Sequence, residues 1–180
     1  PEELEMNSTK TLSNHQRGVT LIEASITLAI TGILAGSALP SFKESLDKRR
    51  VEGFSSEVGT DLRYARSEAV ARNAGVRVSF HQGCYVVHTG SRDDCRCDGQ
   101  GPAVCTGDAV ALKTVNAASA RGVQVIANVS SLRFDPSHGT TSPTGTVCTV
   151  PASGRSVHHV VSLMGRVRTC SPALAGAPCA

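Results

Sequence analysis

The chain has 180 residues, of which 40% are hydrophobic and 18% charged, and its formal net charge is +3. This length fits one domain with an appended segment and argues against a multidomain enzyme. The apolar share and the low net charge exclude a chain that is disordered throughout. With four Phe, two Tyr and no Trp, the sequence is too poor in aromatics for an array of base-stacking platforms. Its core must come mainly from Val, Ala, Leu and Ile, a composition that favours strands.

An apolar segment runs from Val19 to Leu39, and its only ionisable side chain is Glu23. About 20 apolar residues in a helix span the hydrocarbon core of a bilayer, so residues 19–39 are predicted to be a transmembrane helix. Lys10, His15 and Arg17 precede it and predict a cytoplasmic amino-terminal side. The segment is longer than the apolar part of a secretory signal peptide and lacks its cleavage site. A plain signal anchor fits the hydropathy but leaves Glu23 without a role.

Glu23 is the informative residue of this segment. A carboxylate inside a membrane helix costs several kcal/mol unless it is paired, so it usually marks a functional position. If the chain were cleaved after Gly18, the new α-amino group of Val19 would lie about one helical turn from Glu23. That amine can neutralise the carboxylate of its own chain or of a neighbouring subunit. The second arrangement is a mechanism for ordered assembly of membrane helices into a fibre.

The run from Arg17 to Glu23, RGVTLIE, resembles the processing site of type IV pilins and pseudopilins, the class III signal sequence. The resemblance implies that a prepilin peptidase cleaves after Gly18 and methylates Val19. It also implies that Glu23 guides the docking of subunits and that Pro40 bends the first helix. Most members of the family have Phe where this chain has Val19.

The same resemblance divides the chain and places it in the cell. Residues 1–18 are the expected leader. The three glutamates before Met6 are unlike the basic residues of such a leader, so Met6 is a candidate for the natural start. Residues 19–39 are the expected anchor in the inner membrane, with other pilins or pseudopilins as partners. A single-pass protein with a periplasmic head, later part of a pilus or pseudopilus, is the implied localisation.

Residues 40–75 are predicted to be a second, periplasmic helical segment. Gly53 and Gly59 weaken its middle, so we expect a break near these two glycines, and Asn73–Gly75 is the predicted carboxyl-terminal cap. Apolar residues recur there at spacings typical of a partly amphipathic helix: Phe42, Leu46, Val51, Phe54, Val58, Leu62, Ala65, Ala69 and Val70.

From residue 76 the hydrophobic period changes to two, which predicts strands. Residues 76–80 and 84–88 are expected to form a β-hairpin around a turn at 81–83. A long helix followed by strands predicts an α+β fold whose head domain, residues 76–180, is an antiparallel sheet. This order of elements resembles that of the GspH/FimT group of the pilin family. Further strands are predicted at Ala109–Val115, Gly122–Ala127, Ser131–Phe134, Thr146–Val150, Val157–Met164 and Arg166–Cys170.

Seven cysteines in a periplasmic head predict disulfides. Cys148 and Cys170 both lie in predicted strands near the carboxyl end, and we expect them to pair. Four more surround a Gly- and Asp-rich loop that has little apolar content, so a cross-link there would replace packing: Cys84, Cys95, Cys97 and Cys105. A metal site formed by some of these cysteines is the alternative, but paired C-x-x-C or His spacings are missing. We expect neither a metal nor a cofactor.

The positive charge of the chain is concentrated near its carboxyl end. Residues 19–108 hold 10 Lys and Arg against 11 Asp and Glu, whereas residues 109–180 hold six Lys and Arg against Asp135 alone, a net +5. Such a segment is typical of a protein that binds polyanions. Within it, Gly165 permits a tight turn, and Arg166 and Arg168 would project to one side of a strand, about 6.5–7 Å apart.

The four residues from Gly165 to Arg168 match the GRxR motif of FimT-like minor pilins, which is implicated in binding DNA for uptake. The resemblance therefore implies sequence-independent phosphate contacts by Arg166 and Arg168. An exposed arginine pair that only protects an edge strand is the alternative.

No enzyme signature is present. Asp135, Ser137, His138 and the pair His158–His159 are residue types found in hydrolases, but no G-x-S-x-G, H-E-x-x-H or P-loop motif contains them. The resemblance to the pilin family implies instead a minor pilin or pseudopilin that assembles near the tip of a type IV pilus, with DNA binding for uptake. The alternative is a structural pseudopilin of a type II secretion system.

Overall fold

The structure, a computed structural model, describes residues 18–117, 122–151 and 155–171. The predicted leader up to Arg17, the side chain of Pro40 and Cys179 lie outside this description. The chain divides into two compact units with a boundary between Phe42 and Lys43.

One long helix, α1, extends over 52 residues from Leu21 to Arg72. It begins at a capping residue, since Thr20 Oγ1 accepts a hydrogen bond from the N–H of Glu23 at 3.3 Å and the Thr20 carbonyl accepts one from Ala24 at 3.0 Å. The backbone of residue 40 continues the helix.

The end of α1 is the predicted cap. Asn73 has a φ of +50°, and its N–H donates to the carbonyl of Val70 at 3.2 Å while the N–H of Ala74 donates to Ala69 at 3.2 Å. These two bonds are the Schellman pattern, in which a residue in the left-handed region closes the helix. Asparagine tolerates that conformation better than most residues.

The predicted break near Gly53 and Gly59 is wrong, because α1 is continuous through both. Gly59 is buried, and a Cβ there would lie 3.0 Å from Cε1 of His159. The glycine therefore provides room for an imidazole ring to pack against the helix. Gly53 has open space around it, with nothing within 4 Å of a built Cβ. Packing of the neighbouring turns outweighs the helix propensity lost at these glycines, about 1 kcal/mol each.

One stripe of α1 packs into the core of the second unit. Its buried residues recur at intervals of three and four, as one face of a helix requires. The stripe is shorter than the sequence predicts, because Phe42 and Val70 are exposed at 64% and 53%. The buried members are Val51, Phe54, Val58, Leu62, Ala65 and Ala69.

The strands of the second unit form three sheets in which every pairing is antiparallel. The five-stranded sheet has the order β5–β2–β1–β7–β8, the four-stranded sheet the order β11–β10–β9–β6, and β3 pairs with β4. The strands are β1 Val76–His81, β2 Cys84–Thr89, β3 Cys95–Arg96, β4 Val104–Cys105, β5 Ala111–Asn116, β6 Val123–Ala127, β7 Ser131–Phe134, β8 Thr141–Ser142, β9 Gly145–Pro151, β10 Val157–Val161 and β11 Val167–Cys170.

The α+β class and the long helix followed by an antiparallel sheet are confirmed. The sequence did not predict β3, β4 and β8, since each has only two residues and therefore no period to detect. It also extended β10 too far, to Met164. The strand ends at Val161, because the next residues form a turn.

Side chains of α1 and of both larger sheets meet in one hydrophobic core. A partly buried polar cluster joins the helix to the five-stranded sheet beside it. Tyr85 donates its hydroxyl to Oδ2 of the buried Asp61 at 2.7 Å, and Lys113 Nζ donates to Oδ1 at 2.8 Å and to Glu57 at 3.0 Å. Burial alone would lower the pKa of Lys113, but its hydrogen bonds to Asp61 and Glu57 raise that pKa above its usual value. The polar groups of the buried Tyr85 and Asp61 thereby have hydrogen-bond partners.

Two disulfides hold the loop between β2 and β5. Cys84 is bonded to Cys97, and Cys95 to Cys105, which makes a metal site on these thiols chemically unavailable. The expectation that cross-links fasten this loop is confirmed.

The expected pairing of Cys148 with Cys170 is wrong. Cys148 is a free thiol, and Cys170 is disulfide-bonded elsewhere. The reason is the strand order: both residues lie opposite His158, one on each side of β10. Two strand spacings amount to about 9.5 Å, beyond the reach of a disulfide.

Candidate nucleic-acid interface

The predicted Gly-Arg motif lies at the turn between β10 and β11. The N–H of Gly165 donates to the carbonyl of Ser162 at 2.8 Å, and the N–H of Ser162 donates to the carbonyl of Arg166 at 3.0 Å. Gly165 has a φ of +69°, which is the conformation that ends a three-residue hairpin loop. Arg166 therefore precedes β11, and Arg168 lies within it.

Two constraints require glycine at position 165. Its positive φ disfavours any residue with a Cβ, and a Cβ would overlap the carbonyl oxygen of Gly139. The neighbouring turn approaches this closely because Thr141 donates its N–H to the carbonyl of Leu163 at 2.8 Å. Gly165 thus allows the β10–β11 turn to pack against the β7–β8 turn, with Arg166 following it directly in the chain.

Arg166 and Arg168 are both exposed and border one open cleft of about 510 Å³ together with Arg66 of α1. Arg66 is oriented by a hydrogen bond of 3.0 Å from its Nε to the carbonyl of Gly139. A second cleft of about 590 Å³ is bordered by Arg63, Arg66 and Arg166. Four guanidinium groups from two distant segments of the chain therefore line adjoining clefts.

These four arginines have no acidic partner in the described part of the chain. None has a carboxylate within 4 Å, whereas Arg50, Arg72 and Lys113 elsewhere in the second unit form ion pairs. Unpaired guanidiniums attract anions and bind phosphate oxygens through paired N–H donors. Exposed Met164 and partly buried Val160 add an apolar wall to the first cleft.

Sequence reasoning missed Arg63 and Arg66. They lie about 100 positions before the motif, so only the tertiary fold brings them to it. Their spacing of three does predict a common helix face, but nothing in the sequence relates that face to residues 165–168.

The residues predicted to act in processing and assembly lie in the first unit. Gly18, Val19 and Glu23 are all exposed. Thr20-x-x-Glu23 has the spacing of a capping box, and the bond from the Glu23 N–H to Thr20 supplies one half of it. Glu23 has no ion pair among the residues that the structure describes, so its carboxylate is available to a partner.

Large apolar side chains are exposed along this first unit. The described residues include no helix that is long and apolar enough to cross a membrane. An exposed apolar surface of this extent marks an interaction site. The residues that form it are Val19, Leu21, Ile22, Ile26, Leu28, Ile30, Ile33 and Leu34.

The residues that suggested a hydrolase have structural roles. Asp135 Oδ1 accepts the N–H groups of Ser137 and His138 at 3.0 and 3.4 Å, which is turn chemistry. His159 is buried between Ser55 and Thr169, each 2.9 Å from one ring nitrogen. Burial lowers the pKa of His159, which favours the neutral ring.

Comparisons with known proteins agree with this fold. The family model described as type II transport protein GspH matches residues 55–165, and the prokaryotic N-terminal methylation motif matches residues 13–39. No curated protein matches the chain significantly. The type IV minor pilin FimU of Pseudomonas aeruginosa is similar in structure, with a TM-score of 0.54, 16% identity, and coverage of 70% of this chain and 95% of FimU. A second crystal form of FimU gives a TM-score of 0.51 at the same identity, covering 68% and 97% of the two chains. Since the GspH model covers more than half of its length, the chain belongs to the GspH family of pilin-like proteins.

Proposed function

We propose that this chain is a minor pilin that assembles into a type IV pilus, near the tip, and binds the phosphate backbone of DNA through Arg166 and Arg168. The observation that carries the proposal is the group of unpaired guanidiniums around the 510 Å³ cleft. Arg66 of α1 contributes the third charge of that site.

The chemistry of the cleft supports phosphate as the ligand. Guanidiniums that do not form ion pairs with carboxylates gain most from an incoming anion. Contacts to phosphates alone carry no base information, so binding is independent of sequence. The cleft is open and has few aromatic neighbours, which favours the backbone of a duplex over stacked single-stranded bases.

The test is a titration of the full chain in a neutral detergent against a 20-base-pair duplex at two salt concentrations. Removing one arginine that binds a phosphate should reduce the slope of log K against log salt by about 0.9. We expect Arg166→Ala plus Arg168→Ala to weaken binding about tenfold or more at low salt and to reduce the slope by nearly two units.

A charge-matched control separates the site from net charge. Arg49 and Arg155 are exposed and border neither arginine cleft, and their double replacement by alanine removes the same charge. If this control weakens DNA binding as much as the Arg166 and Arg168 variant does, the site has no specific role.

Assembly is the second part of the proposal. Prepilin peptidase cleaves after Gly18 and methylates Val19, and residues 19–39 are held in the inner membrane until the subunit enters the pilus. The exposed apolar surface of the first unit supports this, since it needs lipid or neighbouring helices to cover it. Sequencing the amino terminus of membrane-extracted protein tests the cleavage, and an intact Gly18–Val19 bond would contradict it.

A structural pseudopilin of a type II secretion system is the second candidate. The match to the family described as type II transport protein GspH favours it. In that role the head contacts other pseudopilins and the arginine cleft has no DNA ligand. Deleting the gene separates the two functions, because loss of secreted enzymes supports the second candidate and loss of DNA uptake supports the first.

A further inference from the structure

A second group of arginines lies on the outer face of the five-stranded sheet. Arg77 of β1 and Arg133 of β7 are directly opposite each other in the strand register. Their neighbours Val78 and Leu132 are core residues, so the two arginines project to the opposite side of the sheet. Like charges in this cross-strand position repel unless something compensates them.

Arg77 has an unfilled donor. Its side chain is partly buried, and Nη1 donates to Ser131 Oγ at 2.8 Å. Its Nε is buried without a hydrogen-bond partner in the described structure. A buried donor that lacks a partner costs free energy, and the cost is larger when the group is charged.

Arg133 packs against the short segment between α1 and β1. Its guanidinium lies over Gly75, where a built Cβ would be 2.8 Å from one Nη and 2.9 Å from Nε. Glycine at position 75 therefore leaves a space that the guanidinium occupies. Arg92, in the loop after β2, is the third member, because its carbonyl accepts a hydrogen bond of 3.3 Å from Oγ of Ser79, which lies two residues from Arg77 on the same face of β1. Burial first, and then the charges of Arg133 and Arg92, lower the pKa of Arg77.

The nearest carboxylates are used elsewhere. Asp94 Oδ2 accepts the N–H of Ser91 at 2.6 Å, and Asp93 lies 3.9 Å from Arg96. In the described ranges, no carboxylate lies within 4 Å of the three clustered arginines. Asp93 and Asp94 moderate the positive field there but do not neutralise it.

We infer that Arg77, Arg92 and Arg133 form an anion site that binds a phosphate group, either free or in a nucleic-acid backbone. A phosphate dianion has the charge to offset the repulsion between the facing guanidiniums, and its oxygens can accept from the paired N–H donors of the exposed Arg92 and Arg133. The site uses none of the residues of the β10–β11 turn, so it does not depend on the function proposed above.

The first experiment is a calorimetric titration of the full chain in neutral detergent with inorganic phosphate at pH 7.5 and constant ionic strength. We expect saturable binding that Arg92→Ala plus Arg133→Ala weakens about tenfold, the equivalent of one charge-assisted hydrogen bond. Both side chains are exposed, so the fold should tolerate the change. Arg96→Ala removes an exposed arginine from the same loop and should leave binding unchanged.

A second variant tests the guanidinium of Arg77. Arg77→Lys keeps the charge but removes the planar set of N–H donors, and we expect it to weaken phosphate binding about tenfold as well. A purely structural role for Arg77 would lower the stability of the head but leave phosphate affinity unaltered. Absence of saturable binding, equal weakening by Arg96→Ala, or equal affinity for acetate overturns the site.

A third experiment, with duplex DNA, tests whether the phosphate belongs to a nucleic-acid backbone. The duplex titration is repeated with Arg92→Ala plus Arg133→Ala, keeping Arg166 and Arg168. Weaker duplex binding than in Arg96→Ala assigns the site to the nucleic-acid backbone, whereas unchanged duplex binding with weakened inorganic phosphate binding assigns it to free phosphate. Either result stands whether or not Arg166 and Arg168 bind DNA.

Discussion

The two units differ in whether their large apolar side chains are buried. In the unit that ends at Phe42, large apolar side chains such as Ile33 are 73% exposed, whereas in the other unit Leu62, on the same helix, is 1% exposed. One helix thus contains a segment whose apolar side chains pack into no core among the described residues, and a segment that forms part of a core. The continuity of a helix therefore says little about what each of its segments packs against.

The largest expected change in the free energy of unfolding comes from truncating one of these two apolar side chains but not the other. Leu62→Ala leaves a cavity in the core and should lower the free energy of unfolding by about 2–5 kcal/mol. Ile33→Ala should change it by no more than about 0.5 kcal/mol, because that side chain contributes nothing to the core of the head. Urea denaturation of the two full-length variants measures both, and equal losses would contradict the division into two units.

Next in size is the removal of the cross-link between Cys84 and Cys97. Replacing both by alanine should cost about 3 kcal/mol, the value for a closed loop of this length. Cys148→Ala serves as the control and should cost about 1 kcal/mol or less, since this free thiol is only partly buried. Peptide mapping that finds Cys148 in a disulfide with Cys170 would contradict the strand order described above.

The stability of the head should also depend on pH, through two buried histidines. Burial is the main cause that lowers the pKa of His88 and of His159, so the unfolded chain binds protons more readily. Their contribution to the free energy of unfolding is complete above about pH 6.5. It is lost as the pH falls toward the folded-state pKa values, by at most about 1.4 kcal/mol per pH unit for each histidine.

Urea midpoints between pH 7.5 and 5.5 test this dependence. His159→Gln should lower the urea midpoint and also make it depend less on pH, because one of the two titrating groups is gone. An unchanged slope in this variant would show that His159 does not contribute.

The smallest expected changes in stability come from replacing two glycines of α1, and we expect them to differ in sign. Gly59→Ala should lower stability by about 1 kcal/mol, because the buried imidazole of His159 is fixed by hydrogen bonds and lies 3.0 Å from the new Cβ. Gly53→Ala should raise stability by up to about 1 kcal/mol, since alanine is the better helix former and the space is open. Thermal unfolding of both variants checks the signs, and a gain at both positions would mean that His159 moves aside.

Much of the fold follows from local patterns. The cap at Asn73, the hairpin of β1 and β2, and the approximate positions of β5, β6, β7, β9 and β11 were predictable because each depends on residues close in the chain. The two-residue strands were not, since they exist only where a partner strand supplies hydrogen bonds. The predicted disulfide between Cys148 and Cys170 was wrong for a related reason. The order of the strands in the sheet, which local sequence does not reveal, decides whether the two cysteines can reach each other.

The candidate site shows the same limit. Gly165, Arg166 and Arg168 belong to one short motif that was predicted from the sequence, but Arg66 comes beside them only in the tertiary fold, where it donates to the carbonyl of Gly139 and packs against Gly165. The sequence by itself determined the methylation motif, the helix, the strand-rich head and the excess of arginine near the carboxyl end, because each is a property of neighbouring residues. The tertiary structure decided which arginines share a surface, which cysteines pair and why Gly59 stands in a helix, because those facts depend on contacts between residues far apart in the chain.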